Sequence, residues 1–179
     1  MEFAIVDVSE VNDVVEIGEI VAVDTLESMF RAHYGRLVRA LTLVCGSREV
    51  AADAVQEAFV KAHLHWGRMS RYDDPVGWIR RVAINRLRDD HRRQTRKARA
   101  EQRMSNERPK SLEPAIDESA QMLAGLPRQQ RLAMALFYVD GMSVAEVAAA
   151  MKLSEGAVKF HLHRGRERLR VSVAAGTSA

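Results

Sequence analysis

SVAEVAAAMKLSEGAVKFHLHRGRERLR, Ser143 to Arg170, is the stretch that decides the fold of this 179-residue chain. Val144, Val147, Ala148 and Met151 recur at i, i+3, i+4 and i+7, the apolar stripe of one helix, and Ser143 is placed to offer its hydroxyl as N-cap. Ser154 caps a second helix. Its inner seam is Val158, Leu162, Gly165 and Leu169, while Glu155, Lys159, His163, Arg166 and Arg170 project from the other side with Arg164 beside them. Two short helices joined by a tight turn, the second ending in a comb of arginines, have the layout of a helix-turn-helix. Such a second helix fits a DNA major groove, its first turns near base edges and its later arginines near phosphates. An amphipathic hairpin with a merely solvated basic face would show the same charge run, so the rest of the chain has to decide.

Charge is distributed unevenly. The formal net charge is +3, yet residues 1 to 25 hold seven acids (Glu2, Asp7, Glu10, Asp13, Glu16, Glu19, Asp24) and no Lys or Arg. The remainder therefore carries 27 bases against 17 acids, a balance of +10. Arg80 to Arg103 alone has ten Lys or Arg against three acids, a density that repels itself unless a polyanion or solvent screens it. Nucleic acid is the economical partner. The acidic leader, residues 1–24, is expected to be a disordered arm; an edge strand, or a mask competing with DNA for the basic face, are the other readings of its Val- and Ile-rich composition.

A hydrophobic fraction of 47% suits a folded protein of one or two small domains. No apolar run approaches the ~20 residues that span a bilayer, and the acidic N-terminus is unlike a signal peptide, so a cytoplasmic protein with no membrane insertion is expected. Cys45 is the single cysteine, which rules out an internal disulfide and a cysteine-based zinc cage. His63/His65 and His161/His163 are spaced i, i+2, which splays them around a helix instead of converging them on an ion. Neither a metal nor any other cofactor is expected.

Helical periodicity runs through the chain from residue 25. Asp24 with Glu27 resembles a capping box ahead of a first helix bearing Leu26, Met29, Phe30, Leu37, Leu41 and Val44 and ending at Gly46. Ser47 caps a second, over Ser47 to Trp66, with Val55, Phe59, Ala62 and Trp66 turned inward. Asp74–Pro75 opens a third, marked by Val76, Ile79, Ala83, Leu87 and Asp90. The resulting division is an arm at 1–24, a helical domain at 25–94, a flexible linker at 95–114 that is helical at its start, a second helical domain at 115–172, and a tail at 173–179. In the second domain Ile116, Ala120 and Leu123 suggest a short helix, and Leu126–Pro127 introduces another with Leu132, Leu136 and Val139, stopped by Gly141. The fold class is all-α: two small helical domains, the second a helix-turn-helix domain, winged-helix-like without the wing.

Two further constellations carry chemistry. Asp53, Gln56 and Glu57, at i, i+3 and i+4 on the second helix, make an acidic and amide patch opposite the Val55/Phe59 seam. Acid is rarely presented to DNA, so the patch reads as a docking surface for a basic protein partner, where complementary charge steers encounter; a solvated face is the plainer reading. No His, Cys or nucleophile joins these acids in a catalytic motif, and no enzyme is expected. On the third helix Trp78, Arg81, Asn85, Arg88 and Arg92 recur three or four residues apart. A ring beside cations and an amide can stack an unpaired base, bond its edge and hold its phosphates. The alternative for Trp78 is that it packs inward beneath the loop Met69 to Asp74.

These residues resemble one family. Asp53-Ala54-Val55-Gln56-Glu57-Ala58-Phe59, Trp78-Ile79-Arg80-Arg81-Val82-Ala83-Ile84-Asn85, Leu126-Pro127, and Ser154-Glu155-Gly156-Ala157-Val158-Lys159 through Arg164 to Leu169-Arg170 are similar, in colinear order over roughly residues 25 to 172, to the extracytoplasmic-function sigma factors of the sigma-70 family. The resemblance implies an initiation factor that binds core RNA polymerase and promoter DNA, melting the minus-ten element and capturing its non-template strand. Asp53, Gln56 and Glu57 then match the polymerase-contacting patch. Trp78, Arg81, Asn85, Arg88 and Arg92 fall on the minus-ten face, with the loop Met69 to Asp74 shaping the flipped-base pocket. Glu155, Lys159, Phe160, His163, Arg164 and Arg166 fall on the minus-thirty-five helix. A linker of some 20 residues at ~3.3 Å each reaches ~66 Å, about two turns of duplex, enough for both elements. An anti-sigma factor is the regulatory partner that the resemblance implies.

Phe160 and His161 depart from the family pattern, which has a small hydroxyl residue and then an arginine after the lysine. Phe160 can touch a thymine methyl or pack inward. A polymerase-independent helix-turn-helix repressor or activator is the alternative function, and it leaves the Asp53 patch and the Trp78/Asn85 stripe without work. A nuclease acting through Asp73, Asp74, Asp89 and Asp90 is disfavoured, since the first pair caps a helix and the second lies in a basic face.

Overall fold

The computed structural model describes residues 25–104 and 122–176, and all of its regular structure there is helical. In chain order the helices described over their whole length are α1 (Leu26–Cys45), α2 (Arg48–Leu64), α3 (Trp66–Met69), α4 (Pro75–Met104), α5 (Arg128–Tyr138), α6 (Val144–Met151) and α7 (Glu155–Gly176), and residues 122–124 are also helical. The expected arm at 1–24 lies outside the described residues, as do most of the Ile116/Ala120 helix and positions 177–179.

Local chemistry accounts for most of the boundaries. The Ser47 hydroxyl accepts from Val50 N–H (3.3 Å), opening α2, and the Asp74 carboxylate accepts from Gly77 N–H (2.6 Å) with Pro75 at the first position of α4. Ser143 and Glu146 form a full capping box: the serine hydroxyl accepts from Glu146 N–H, and the glutamate accepts from Ser143 N–H at 2.7 Å. The N-cap of α1 is Thr25, whose hydroxyl accepts from Ser28 N–H (3.1 Å), not Asp24. A threonine one residue nearer the apolar stripe takes the position that the Asp24/Glu27 spacing had suggested. Gly46 at φ 78° ends α1, its N–H donating to the Thr42 carbonyl, the left-handed conformation that glycine adopts without a Cβ penalty.

Two boundaries differ from the sequence reading. The second helix breaks at His65, so Trp66 begins the separate turn α3. The basic helix α4 runs 30 residues, about 45 Å, through Met104. The helical start expected for the linker is thus residues 95–104 of α4, while 173–176 belong to α7 where a tail was expected. Arginine and lysine are strong helix formers, and a helix turned to solvent requires no apolar period.

Packing joins the first four helices to the last three. α1, α2 and α4 enclose Leu37, Leu41, Val55, Phe59, Ile79 and Ala83; α5, α6 and α7 enclose Leu132, Leu136, Val147, Val158 and Leu162. α1 lies on α5 and α4 on α6, so the two apolar groups form one contiguous core. Gly165 lets α7 approach α5 closely: a Cβ there would stand 2.9 Å from Met134 Cγ.

Candidate nucleic-acid and polymerase interfaces

The seam of α7 buries Val158 and Leu162 and sets Gly165 against Met134, which fixes the opposite side outward. There Glu155, Lys159, Phe160, His163, Arg164 and Arg166 are all exposed. The expected recognition face is therefore presented together, on one helix rooted by its neighbours. Lys159 stands 3.9 Å from Glu155, and Glu167 lies 3.3 Å from Arg164 and 3.6 Å from His163. Exposed pairs of this kind exchange readily with water, so the cations are available to phosphate. Phe160 does not pack inward. Its ring is 56% exposed, while His161 is turned toward the protein with its Nδ1 buried.

On α4 the expected stripe divides. Asn85 and Arg92 are exposed, Arg81 is half-buried, and Trp78 is half-buried and packed against the core. Asn85 lies in a groove with Val82, Arg86, Asp89 and Arg93 of α4 and Glu57 and Lys61 of α2. Arg88 is held elsewhere: its guanidinium donates to the carbonyl of Met151, the last residue of α6, at 3.2 Å. Burial, followed by the charge of Arg92, disfavours its protonated form. Arg88 thus caps the C-terminus of a helix in the other half of the molecule, where a cation meets the negative end of the dipole.

The α2 patch is likewise not uniform. Asp53 is exposed, and Gln56 donates its amide to the Tyr34 hydroxyl (3.3 Å). Glu57 accepts from Lys61 Nζ at 2.7 Å and from Arg86 Nε at 2.5 Å. Its hydrogen bonds from Lys61 and Arg86 hold its carboxyl below the usual carboxylate range. Arg86 is also bonded to Asp90, so Glu57 ties α2 to α4 as well as facing outward. Beside this patch Phe30, Tyr34 and Phe59 cluster, with ring centroids 4.6 Å apart for Phe30–Tyr34 and 5.0 Å for Phe30–Phe59. Phe30 and Val60 leave an apolar groove open at the surface.

Sequence reasoning missed the ion pair that joins the two halves. Arg80, buried on α4, donates through Nε to Asp140 at 2.7 Å and stands 3.5 Å from Glu146; the Arg80 and Asp140 side chains are 7% and 0% exposed. Arg131 of α5 reciprocates by donating to the carbonyl of Val44 near the end of α1 (3.3 Å) and to Leu126 (3.0 Å). One signal was present: Arg80 occupies the same helical side as Ala83, Ile84 and Leu87, where a lone charge requires a buried partner.

A helix-turn-helix unit packed beside a four-helix unit with a long basic helix defines a bipartite DNA-binding protein. The sigma-70 region 2 family matches residues 29–97 and the sigma-70 region 4 family matches residues 117–169. The chain is 32% identical over 153 residues to the ECF RNA polymerase sigma factor SigM of Mycobacterium tuberculosis, covering 80% of this chain and 74% of that protein. It is 28% identical over 155 residues to the RNA polymerase sigma factor CarQ of Myxococcus xanthus, covering 83% and 89%. Among solved structures, CnrH in complex with the cytosolic domain of CnrY matches with a TM-score of 0.58 at 26% identity, covering 84% of this chain and 88% of that one. The sigma factor RpoE in complex with the anti-sigma factor NepR from Bartonella quintana shares the fold, with a TM-score of 0.68 at 19% identity over 83% and 96%. The chain belongs to the ECF sigma factors of the sigma-70 family, and promoter recognition in transcription initiation is its function. Among the described residues no helix is long and apolar enough to cross a membrane.

Proposed function

We propose that this sigma factor divides its work among three surfaces. The first domain, residues 25–94 with α4 continuing beyond it, docks on core RNA polymerase through Asp53, Gln56 and Glu57 of α2. Trp78, Arg81, Asn85, Arg88 and Arg92 of α4 engage the minus-ten element, with Asn85 as the base-edge contact and the arginines on phosphate. The second domain, residues 115–172, reads the minus-thirty-five element through Glu155, Lys159, Phe160, His163, Arg164 and Arg166. The protein acts as a binding factor without a catalytic centre, in the compartment that holds polymerase and promoter. An anti-sigma factor covering these surfaces is the regulatory partner; the sigma factor RpoE of Bartonella quintana, which shares the fold, is bound to the anti-sigma factor NepR.

The observation that carries this reading is the difference in charge balance between helices: α2 has three acids against two Lys or Arg, α4 three against ten, and α7 two against five. Acid is exposed on α2 at Asp53, cations on α4 at Arg92 and on α7 at Lys159, Arg164 and Arg166, each on a helix whose opposite face is locked in the core. Asp53 is the cleaner probe of polymerase docking than Glu57, because Glu57 also bonds Arg86. The Asp53→Lys variant is expected to lose about ten-fold in affinity for core polymerase, the size of one favourable charge contact made repulsive. The Asn85→Ala variant is expected to keep core affinity and lose promoter opening, measured by permanganate reactivity of unpaired thymines. Equal loss of both activities in Asn85→Ala, or unchanged core affinity in Asp53→Lys, contradicts these assignments.

A further inference from the structure

Phe160 is the one large apolar side chain on the outward face of α7's first two turns. It stands opposite the buried seam of Val158 and Leu162 and is 56% exposed. Nothing in the fold requires a ring there. A water-facing phenylalanine amid Lys159, His163 and Arg164 gains nothing from the core, and lysine or glutamine would serve a purely electrostatic face better.

The surroundings hold the ring in place and leave its leading edge clear. Arg164, one turn later, sets its guanidinium 5.7 Å from the ring centroid, a cation–π distance that limits where the ring can swing. The His161 ring meets it edge-on at 5.8 Å from the inward side. One turn earlier, on the same side of the helix, stands Gly156. A Cβ added there would find only Ser154 Oγ, at 3.9 Å. The ring is therefore backed by Arg164 and His161 and open toward the N-terminus of α7, the end of a recognition helix that reaches base edges. On the floor of a major groove the apolar group such a ring can meet is the C5-methyl of thymine.

We infer that Phe160 is a specificity-determining residue of this chain, reading a thymine methyl in the upstream duplex element. The inference rests on the assignment of α7 to that element, and it selects one functional group there. Arg164 then serves twice, bracing the ring and reaching phosphate, while Lys159 and His163 flank the contact with hydrogen-bond donors.

The test uses the full chain with core polymerase on a start site first mapped by run-off transcription from genomic fragments. Two templates are synthesised that differ only in the upstream element, about two duplex turns from the melted segment, with deoxyuridine replacing thymidine in one. Uracil lacks only the methyl group. Wild-type protein is expected to initiate about four-fold less on the uracil template at subsaturating protein, the factor that burial of one methyl corresponds to. Phe160→Ala, at an exposed position, is expected to keep the wild-type thermal midpoint and to treat the two templates alike. Phe160→Leu should retain part of the preference. Equal wild-type initiation on both templates overturns the inference, as does a Phe160→Ala variant that keeps the wild-type preference. A wild-type protein indifferent to uracil whose Phe160→Ala variant loses initiation on both templates would place the ring against a protein, and also overturns it. Failure of the wild type to initiate on ordinary thymidine templates would instead strike the sigma-factor assignment itself.

Discussion

Asp140 shows how one residue joins two parts of the chain. It follows α5 at a turn closed by Gly141 (φ 77°), and its carboxylate is fully buried against Arg80, sixty positions earlier. Charges removed from water on this scale are retained only in pairs, so removing one partner is more damaging than removing both. The Asp140→Ala variant is expected to lose about 3 kcal/mol of unfolding free energy, because Arg80 keeps only the longer contact to Glu146. Arg80→Met combined with Asp140→Leu should lose less, and chemical denaturation of the two variants makes the comparison. A smaller loss in the single variant than in the double would mean that the pair contributes little. In sequence Asp140 has the appearance of an ordinary residue before a helix-stop glycine. The serines at helix starts were legible because a cap acts within three residues, whereas a partner sixty residues away leaves no local pattern.

At the scale of elements, α2 and α4 are tied by Glu57, Arg86 and Asp90, and the tie is pH-dependent in a determined direction. Hydrogen bonds from Lys61 and Arg86 lower the Glu57 pKa from its ordinary value near 4.5. A carboxyl depressed on folding contributes stability above its unfolded pKa and loses it as pH falls through the folded value. The stability deficit of Glu57→Gln relative to wild type is therefore expected at pH 6 and should shrink as pH falls below about 4.5, measured by urea midpoints across that range. A deficit independent of pH would contradict the role given to the charge. The stripe Trp78 to Arg92 was visible at three- and four-residue spacing, but a stripe has two flanks. Arg88 lies on the flank that α6 covers, and Trp78 on core-facing ground, and only packing decides between flank and free face. The helical start expected for residues 95–114 is the end of α4, but how far it would run was not visible, since a solvated arginine helix carries no apolar signal.

At the scale of the whole molecule, α1 lies on α5 and α4 on α6, with Arg80–Asp140, Arg88–Met151 and Arg131–Val44 crossing between the halves. Two promoter elements read at once are about two duplex turns apart, at ~34 Å per turn. On the proposed reading both elements are held at once, so these three connections are expected to part on promoter binding and to free Arg88 for phosphate. A donor dye at Val60 and an acceptor at Val171, both exposed positions, with Cys45 replaced by serine, report the separation of the halves. Energy transfer is expected to fall when core polymerase and promoter DNA are added together. Unchanged transfer in an initiating complex would mean that the halves read DNA while still packed.

An acid-faced docking surface and two cationic surfaces are proposed to make this chain a promoter-directing subunit. Run-off transcription with core polymerase on a pool of genomic fragments tests it directly. Discrete transcripts are expected, absent without the protein, whose upstream sequences share two elements about two turns apart. RNA synthesis no different from that of core polymerase alone would contradict it.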